Sequence, residues 1–473
     1  MEEDEEVDEE ELDKRNQNQG EEILLTSQVV HGPTAKKGSH DRPQKLSKEQ
    51  LTEIQNKTKL TTEASRKKKV AVLLGYLGKN YAGMQKNPGL RTIEEELEMA
   101  IFKAGGILPD NLYFQHKIDW VRCARTDKGV SALRNVVSLK MEVGPPELDE
   151  MVKALNKLLP EDIHVFKIMR VNNSFHAKNG VDARSYVYVC PTSAFEPKFA
   201  TNKLVEPFKF TEETRETLNR VLSYYLGNHR FHNYTSRKES NDVSVFRKII
   251  KFECSVPFIL EGVEMVSINV IGESFMLHQI RKMIGCLMSF MRKGIFQDAQ
   301  DKESAFDQIR KYIEATFYHQ PLNLPVAPGA GLLLDHCIFR MWNEKYKDIH
   351  GELMVENDDV EQFRKVVFGE IASLEATKRE FSEWIETKLD PHPLPYEILH
   401  KIIENPPPAP PKRPKQRDDK KFTRRERKEH MTNIKKFDKD TGNNEEKKDQ
   451  DNTTEPSKEI KEQPKEETNA SEN

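Results

Sequence analysis

At Lys69 the chain changes character, and that change bounds the fold. Upstream, residues 1–66 are polar, charged and without sustained periodicity, and the opening MEEDEEVDEEEL is almost wholly acidic. Such a stretch has too little apolar surface to offset the entropy of ordering and predicts disorder. Downstream, Val70-Ala71-Val72-Leu73-Leu74-Gly75-Tyr76 is a short apolar run with β-branched residues, a strand signature. From there to about residue 342, strand-like runs alternate with helical faces, which predicts a single α/β or α+β core.

The alternation can be followed block by block. A loop from Gly78 to Gly89 precedes Thr92-Ile93-Glu94-Glu95, which has the spacing of a capping box at a helix start. Ile93, Leu97, Ala100 and Ile101 then form one helical face. Trp120 to Cys123, Val136 to Met141, Ile163 to Val171, Ser185 to Val189, Met265 to Val270 and Gly331 to Phe339 read as strands. Leu148 to Leu158, Thr211 to Leu226 and Leu277 to Met291 read as helices, the last Met-rich. Its stripe of Met276, Met283, Met288 and Met291 is read as core packing. A similar order of elements recurs after 210, which hints at two related halves.

Beyond the core the charge returns. Residues 346–400 predict a charged helical segment, with Val360, Phe363, Val366, Val367 and Ile371 at helical spacing. Residues 401–473 form a second tail, opened by the stiff spacer Pro406-Pro407-Pro408-Ala409-Pro410-Pro411.

Lys and Arg total 74 against 78 Asp and Glu, a net charge of -4. The average conceals basic clusters at Arg66-Lys67-Lys68-Lys69 and within 412–428, and for nucleic-acid binding the local field matters more than the total. Both clusters, Lys412-Arg413-Pro414-Lys415 in particular, fit phosphate binding or nuclear import. The 5 cysteines are odd in number and form no CxxC pair, which argues against a disulfide framework or a Cys-based zinc site. No apolar run is long enough to span a bilayer. No signal-peptide core is present, and the acidic start argues against a mitochondrial presequence. A nuclear location is expected, with a cytoplasmic or mitochondrial pool left open.

The densest cluster of chemistry-bearing residues is Arg122-Cys123-Ala124-Arg125-Thr126-Asp127-Lys128-Gly129-Val130-Ser131-Ala132. Cations on both sides of Asp127 are expected to hold its carboxyl in the anionic form. Taken alone, the segment also fits an ion-paired Asp in a solvated turn.

Five ordered blocks decide between these readings. Arg125-Thr126-Asp127-Lys128-Gly129-Val130-Ser131-Ala132 resembles the signature of the TruA family of tRNA pseudouridine synthases. Tyr76-Leu77-Gly78-Lys79-Asn80-Tyr81-Ala82-Gly83-Met84-Gln85 resembles the family's first-strand motif, with Ala82 where a His is common. Leu155-Asn156, then Leu159-Pro160 and Asp162-Ile163, resemble its N-x-x-L-P-x-D-I segment. Phe175-His176-Ala177-Lys178 and Ala183-Arg184-Ser185-Tyr186-Val187-Tyr188 resemble the strand that carries its active-site tyrosine. Ser274-Phe275-Met276-Leu277-His278-Gln279-Ile280-Arg281-Lys282-Met283-Ile284-Gly285 resembles the block before its C-terminal core helix. The likeness covers about 69–342 and is greatest to the eukaryotic tRNA pseudouridine synthase 1 branch.

That resemblance implies two sheet-containing halves, 67–210 with the Asp and 211–345, around a central basic cleft. It implies isomerisation of uridine in tRNA to pseudouridine, with messenger and small nuclear RNA as further candidate partners. No cofactor or metal is implied, since nothing is oxidised and no energy is consumed. By the same resemblance Asp127 is the essential carboxylate and Arg125 fills the gap left by the flipped nucleotide. Tyr186 stacks on the uracil, and Arg281 pairs with Asp127. His278 is expected to be structural, and a monomer is expected. The rival is an RNA chaperone on the same scaffold without isomerase activity.

Overall fold

The computed structural model describes residues 47–59, 66–143, 148–201, 207–236 and 238–407. Its principal elements in chain order are α1 Lys48–Thr58, β1 Arg66–Tyr76, α2 Ile93–Lys103, β2 Val121–Arg122, β3 Ser131–Val143, α3 Leu148–Leu158, β4 Ile163–Arg170 and β5 Ala183–Pro191. They continue with α4 Glu212–Ser223, β6 Gly227–Arg230, β7 Phe246–Cys254, β8 Phe258–Leu260, β9 Val263–Gly272, α5 Gln279–Lys293, α6 Lys302–Ala315, β10 Leu332–Ile338, α7 Arg340–His350, α8 Asp358–Lys378 and α9 Tyr396–Glu404.

The strands form one mixed sheet in the order β4-β1-β3-β10-β5-β9-β7-β6, with β2 on β3 and β8 on β9. All pairs are antiparallel except β10 with β3. The last strand of the core thus sits at its centre. A boundary at residue 210 falls between elements of one hydrogen-bonded sheet, since β10 pairs with β3 and β9 with β5.

Buried strands explain the near-continuous apolar runs. β3 is buried from Ser131 through Leu139, so both its faces are covered and the sequence shows no alternation there. The Met-rich helix α5 is buried along most of its length, with Met283, Ile284, Leu287, Met288 and Phe290 fully enclosed.

Three expectations are corrected. Part of the 1–66 tail is ordered: α1 is closed by a Ser47–Gln50 capping box and buries Leu51 and Gln55, and Gln55 Nε2 donates to the carbonyls of Phe102 and Ile107. Thr92 does precede α2, but its hydroxyl caps nothing and is buried without a partner. Backbone carbonyls replace it, with Ile93 N–H donating to Gly83 O and Glu94 N–H to Met84 O. Finally, Lys69 of the cluster expected to bind phosphate or mediate import is buried and ion-paired with Asp119 at 2.5 Å.

The 346–400 segment packs on the sheet. Val360, Phe363, Val367 and Ile371 of α8 are buried, whereas Val366, expected on the same face, is 52% exposed. The acidic start, the 412–428 basic cluster and all but the first two residues of the proline run lie outside the described residues.

Candidate active site

Asp127 sits in the loop between β2 and β3, and two other motif segments build that loop. The chain after β1 comes so close that a Cβ on Gly78 would lie 2.3 Å from Val130 O, and one on Gly83 2.7 Å from Thr126 O. Glycine is required for backbone to meet backbone at this range. Met84 N–H donates to Thr126 O at 3.1 Å, Gly78 N–H to Ser131 Oγ at 3.0 Å, and Tyr76 Oη shares a hydrogen bond with Thr126 Oγ1 at 2.9 Å. Asn135 Nδ2 donates to both Tyr76 Oη and Ala124 O.

The Asn156–Ile163 block braces the segment after β1 that packs on this loop. Tyr81 Oη donates to Asp162 Oδ1 at 2.5 Å, and Leu77 N–H donates to Asp162 O at 2.8 Å. Asn156 pairs edge-on with Val165, accepting its N–H at 2.8 Å and donating to its carbonyl at 2.9 Å. A buried carboxylate that the sequence did not flag completes the support. Glu94 takes Trp120 Nε1 at 2.7 Å, Arg122 Nε at 2.5 Å and Lys86 N–H at 2.9 Å.

Register brings the remaining blocks to this end of the sheet. Ala132 of β3 lies opposite Leu334 of β10, which lies opposite Tyr186 of β5, which lies opposite Val270 of β9. Tyr186 is 7% exposed, and its ring meets Phe275 edge-on at 5.2 Å. Burial pushes its phenol well above the usual range. β9 then leads through Phe275 into α5, which carries His278 and Arg281. Arg184 crosses between the two sides, donating to Cys123 O at 2.8 Å and to Glu273 O at 3.1 Å.

The electrostatics of Asp127 differ from the sequence expectation. Burial raises its carboxyl above the ordinary value, and the opposing charge is that of Arg281. Arg125 and Lys128, its neighbours in sequence, point to the exposed side. Arg281 acts at a distance: its Nε donates to Ala327 O at 2.7 Å, and no ion pair with Asp127 within 4.0 Å occurs among the described residues. The side chain that comes nearer is His278, whose Nε2 lies 3.9 Å from Asp127 Oδ2. Sequence reasoning had set His278 aside; its place beside Arg281 on the first turn of a helix was the available signal. Lys282 turns inward, is pushed down by burial, and donates to the carbonyls of Asn233 and Thr235.

The arrangement offers a half-shielded carboxylate, a buried aromatic on β5 in register with the start of β3, a cation on α5 whose charge reaches the carboxylate, and an exposed arginine two residues before it. That set fits nucleophilic or base attack at a nucleoside drawn out of a stack.

The family described as tRNA pseudouridine synthase matches residues 221–340, which contain α5 and β10. A mouse protein called pseudouridylate synthase 1 homolog is 36% identical over 329 residues, covering 68% of this chain and 74% of its own. The human protein of that name is 35% identical over 326 residues, covering 67% and 72%. A tRNA pseudouridine synthase 1 from Yarrowia lipolytica is 30% identical over 399 residues, covering 67% and 73%. The chain belongs to the tRNA pseudouridine synthase family, isomerases that convert uridine in RNA to pseudouridine.

Proposed function

We propose that this enzyme acts on uridines of folded tRNA, with Asp127 as the essential carboxylate. The observation that carries the reading is how the other motif blocks gather at the Asp127 loop: the Tyr76–Gln85 block meets it backbone to backbone, Arg184 reaches Cys123 O, and His278 approaches Asp127 itself. In the reaction the N1–C1′ bond breaks, the uracil rotates, a C5–C1′ bond forms, the C5 proton leaves to solvent and N1 takes up a proton. Asp127 opens the sequence by attacking C1′, by adding to C6, or by taking the C2′ proton. Tyr186 holds the detached ring, Arg281 stabilises the ionised carboxylate, and Arg125 occupies the gap left by the flipped nucleotide.

The decisive experiment is tritium release from tRNA labelled at uridine C5, comparing the wild type with Asp127→Ala. Release by the wild type alone supports the assignment. No release from either protein, with RNA binding intact, favours the chaperone reading.

The same proposal extends to other structured RNAs such as messenger and small nuclear RNA, to a monomeric enzyme, and to a nuclear location. The basic run Lys412-Arg413-Pro414-Lys415 supports import; unchanged nuclear accumulation after deletion of 406–430 would count against it. Sedimentation at micromolar concentration tests the monomer.

A further inference from the structure

Helix α5 begins on a residue held in a backbone conformation that side chains disfavour. His278, its N-cap, has φ 60° and ψ 0°, in the left-handed region where glycine or asparagine is at home. Its side chain makes no capping hydrogen bond to the helix, so capping does not account for the imidazole. The backbone turn directs the ring toward the β2–β3 loop, where Nε2 lies 3.9 Å from Asp127 Oδ2. The two side chains are 30% and 28% exposed, half-shielded at the mouth of the site.

We propose that His278 is a positioning residue for Asp127. Its Nε2–H donates to Oδ2 as the site closes on substrate, which fixes the carboxylate rotamer and leaves Oδ1 free for the reaction. A hydrogen bond to the ionised form also offsets the desolvation of that carboxylate. This inference rests on Asp127 being the essential group.

Among the described residues, charged groups near the imidazole ring lie on several elements. Asp127 faces it from the loop opposite, flanked there by Arg125 and Lys128. Arg281 is on its own helix, tied to Ala327 O. Lys282 is turned away to Asn233 and Thr235. Glu273, in the preceding loop, is paired with Lys248 at 3.0 Å.

The test uses the full chain and C5-tritiated tRNA, with single-turnover rates, tRNA Kd and Tm measured for His278→Gly, His278→Gln and Asp127→Ala. Gly keeps the left-handed backbone and removes the ring; Gln restores an N–H of similar reach. His278→Gly is expected to slow the chemical step about tenfold to a hundredfold, the scale of a small misplacement of a reacting group, with tRNA affinity and Tm held. Its acid limb moves to higher pH, and His278→Gln recovers part of the rate. A wild-type rate and pH profile in His278→Gly overturns the inference. So does a loss that tracks a lower Tm or weaker tRNA binding and is not recovered by Gln. An active Asp127→Ala would instead overturn the carboxylate assignment itself, which separates the two failures.

Discussion

Arg184 and Cys123 are joined by a hydrogen bond of 2.8 Å from Nη2 to the Cys123 carbonyl, while Nη1 of the same guanidinium reaches Glu273 O at 3.1 Å. One side chain on β5 therefore sets the spacing between the Asp127 loop and the segment leading to His278 and Arg281. Arg184→Ala is expected to lower the single-turnover rate at least tenfold, because a remote contact that fixes reacting groups acts on rate more than on binding. Arg184→Lys should recover little, since an ammonium lacks the planar fork that spans two carbonyls. Equal rates for wild type and Arg184→Ala would show that the loop holds its place without this brace.

Asp127 is held above the normal carboxylate range because burial outweighs the charge of Arg281. A carboxyl raised on folding binds its proton more tightly in the native state, so stability falls as pH rises from the unfolded value through the folded one. At neutral pH the ionised, desolvated Asp127 is therefore a cost. Asp127→Asn should raise Tm at pH 7 while abolishing turnover, and the gain should shrink below pH 4. Arg281→Gln removes the opposing charge and should push the acid limb of the pH–rate profile upward. An unchanged or lower Tm in Asp127→Asn would contradict this account.

Much of the fold was legible because buried strands and helices leave strong periodic marks. β5, β9, α5 and β10 fall within a few residues of their expected ends. What escaped were elements whose order depends on distant partners. α1 is polar apart from Leu51 and Ile54, and it is fixed through its buried Gln55 by carbonyls some 50 residues away. β6 is Gly227-Asn228-His229-Arg230, with no apolar alternation, and is a strand only because β7 pairs with it. In the site, the motifs located Asp127 but not its electrostatics. Flanking cations in sequence pointed outward, and the influential one came from α5, more than 150 residues on. Local charge does not reveal desolvation, which is a property of the packed structure.

Gly83 has φ 116°, and a Cβ there would stand 2.7 Å from Thr126 O, against the backbone that carries Asp127. Gly83→Ala combines a disfavoured conformation with a collision that rigid backbone cannot relieve. It should cost at least about 2 kcal/mol of stability and reduce the rate further than that loss explains, by displacing the loop. Gly369, in the middle of α8 with open space around it, is the matched control. Gly369→Ala should stabilise the protein by about 0.5–1 kcal/mol through helix propensity and leave the rate untouched. Urea midpoints and tritium release on the two variants check both halves; a rate loss in Gly369→Ala, or a normal rate in Gly83→Ala, would break the argument.

Asp335 on β10 holds the C-terminal helices to the sheet. It is 6% exposed and meets Arg134 Nη2 at 2.9 Å, Arg364 Nη1 at 3.2 Å and His336 Nδ1 at 2.7 Å. Burial alone would raise its carboxyl, but His336, Arg134 and Arg364 together pull it well below the ordinary range. The sign is then opposite to that of Asp127: a depressed native value adds stability that is present above the unfolded carboxyl's pKa of about 3.9 and is lost as pH falls through the folded one. Asp335→Asn leaves Arg134 and Arg364 short of their shared anion, and breaking a buried pair in this way costs about 3–5 kcal/mol. The loss should be full at pH 7 and should narrow below pH 4, where the wild type sheds the same contribution. Arg364 is carried by α8 and Arg134 by β3, so Arg364→Ala should loosen the helix selectively, raising hydrogen exchange across 358–378 while β3 stays protected. A pH-independent gap between wild type and Asp335→Asn would mean that packing, and not the ionised carboxylate, holds α8 in place.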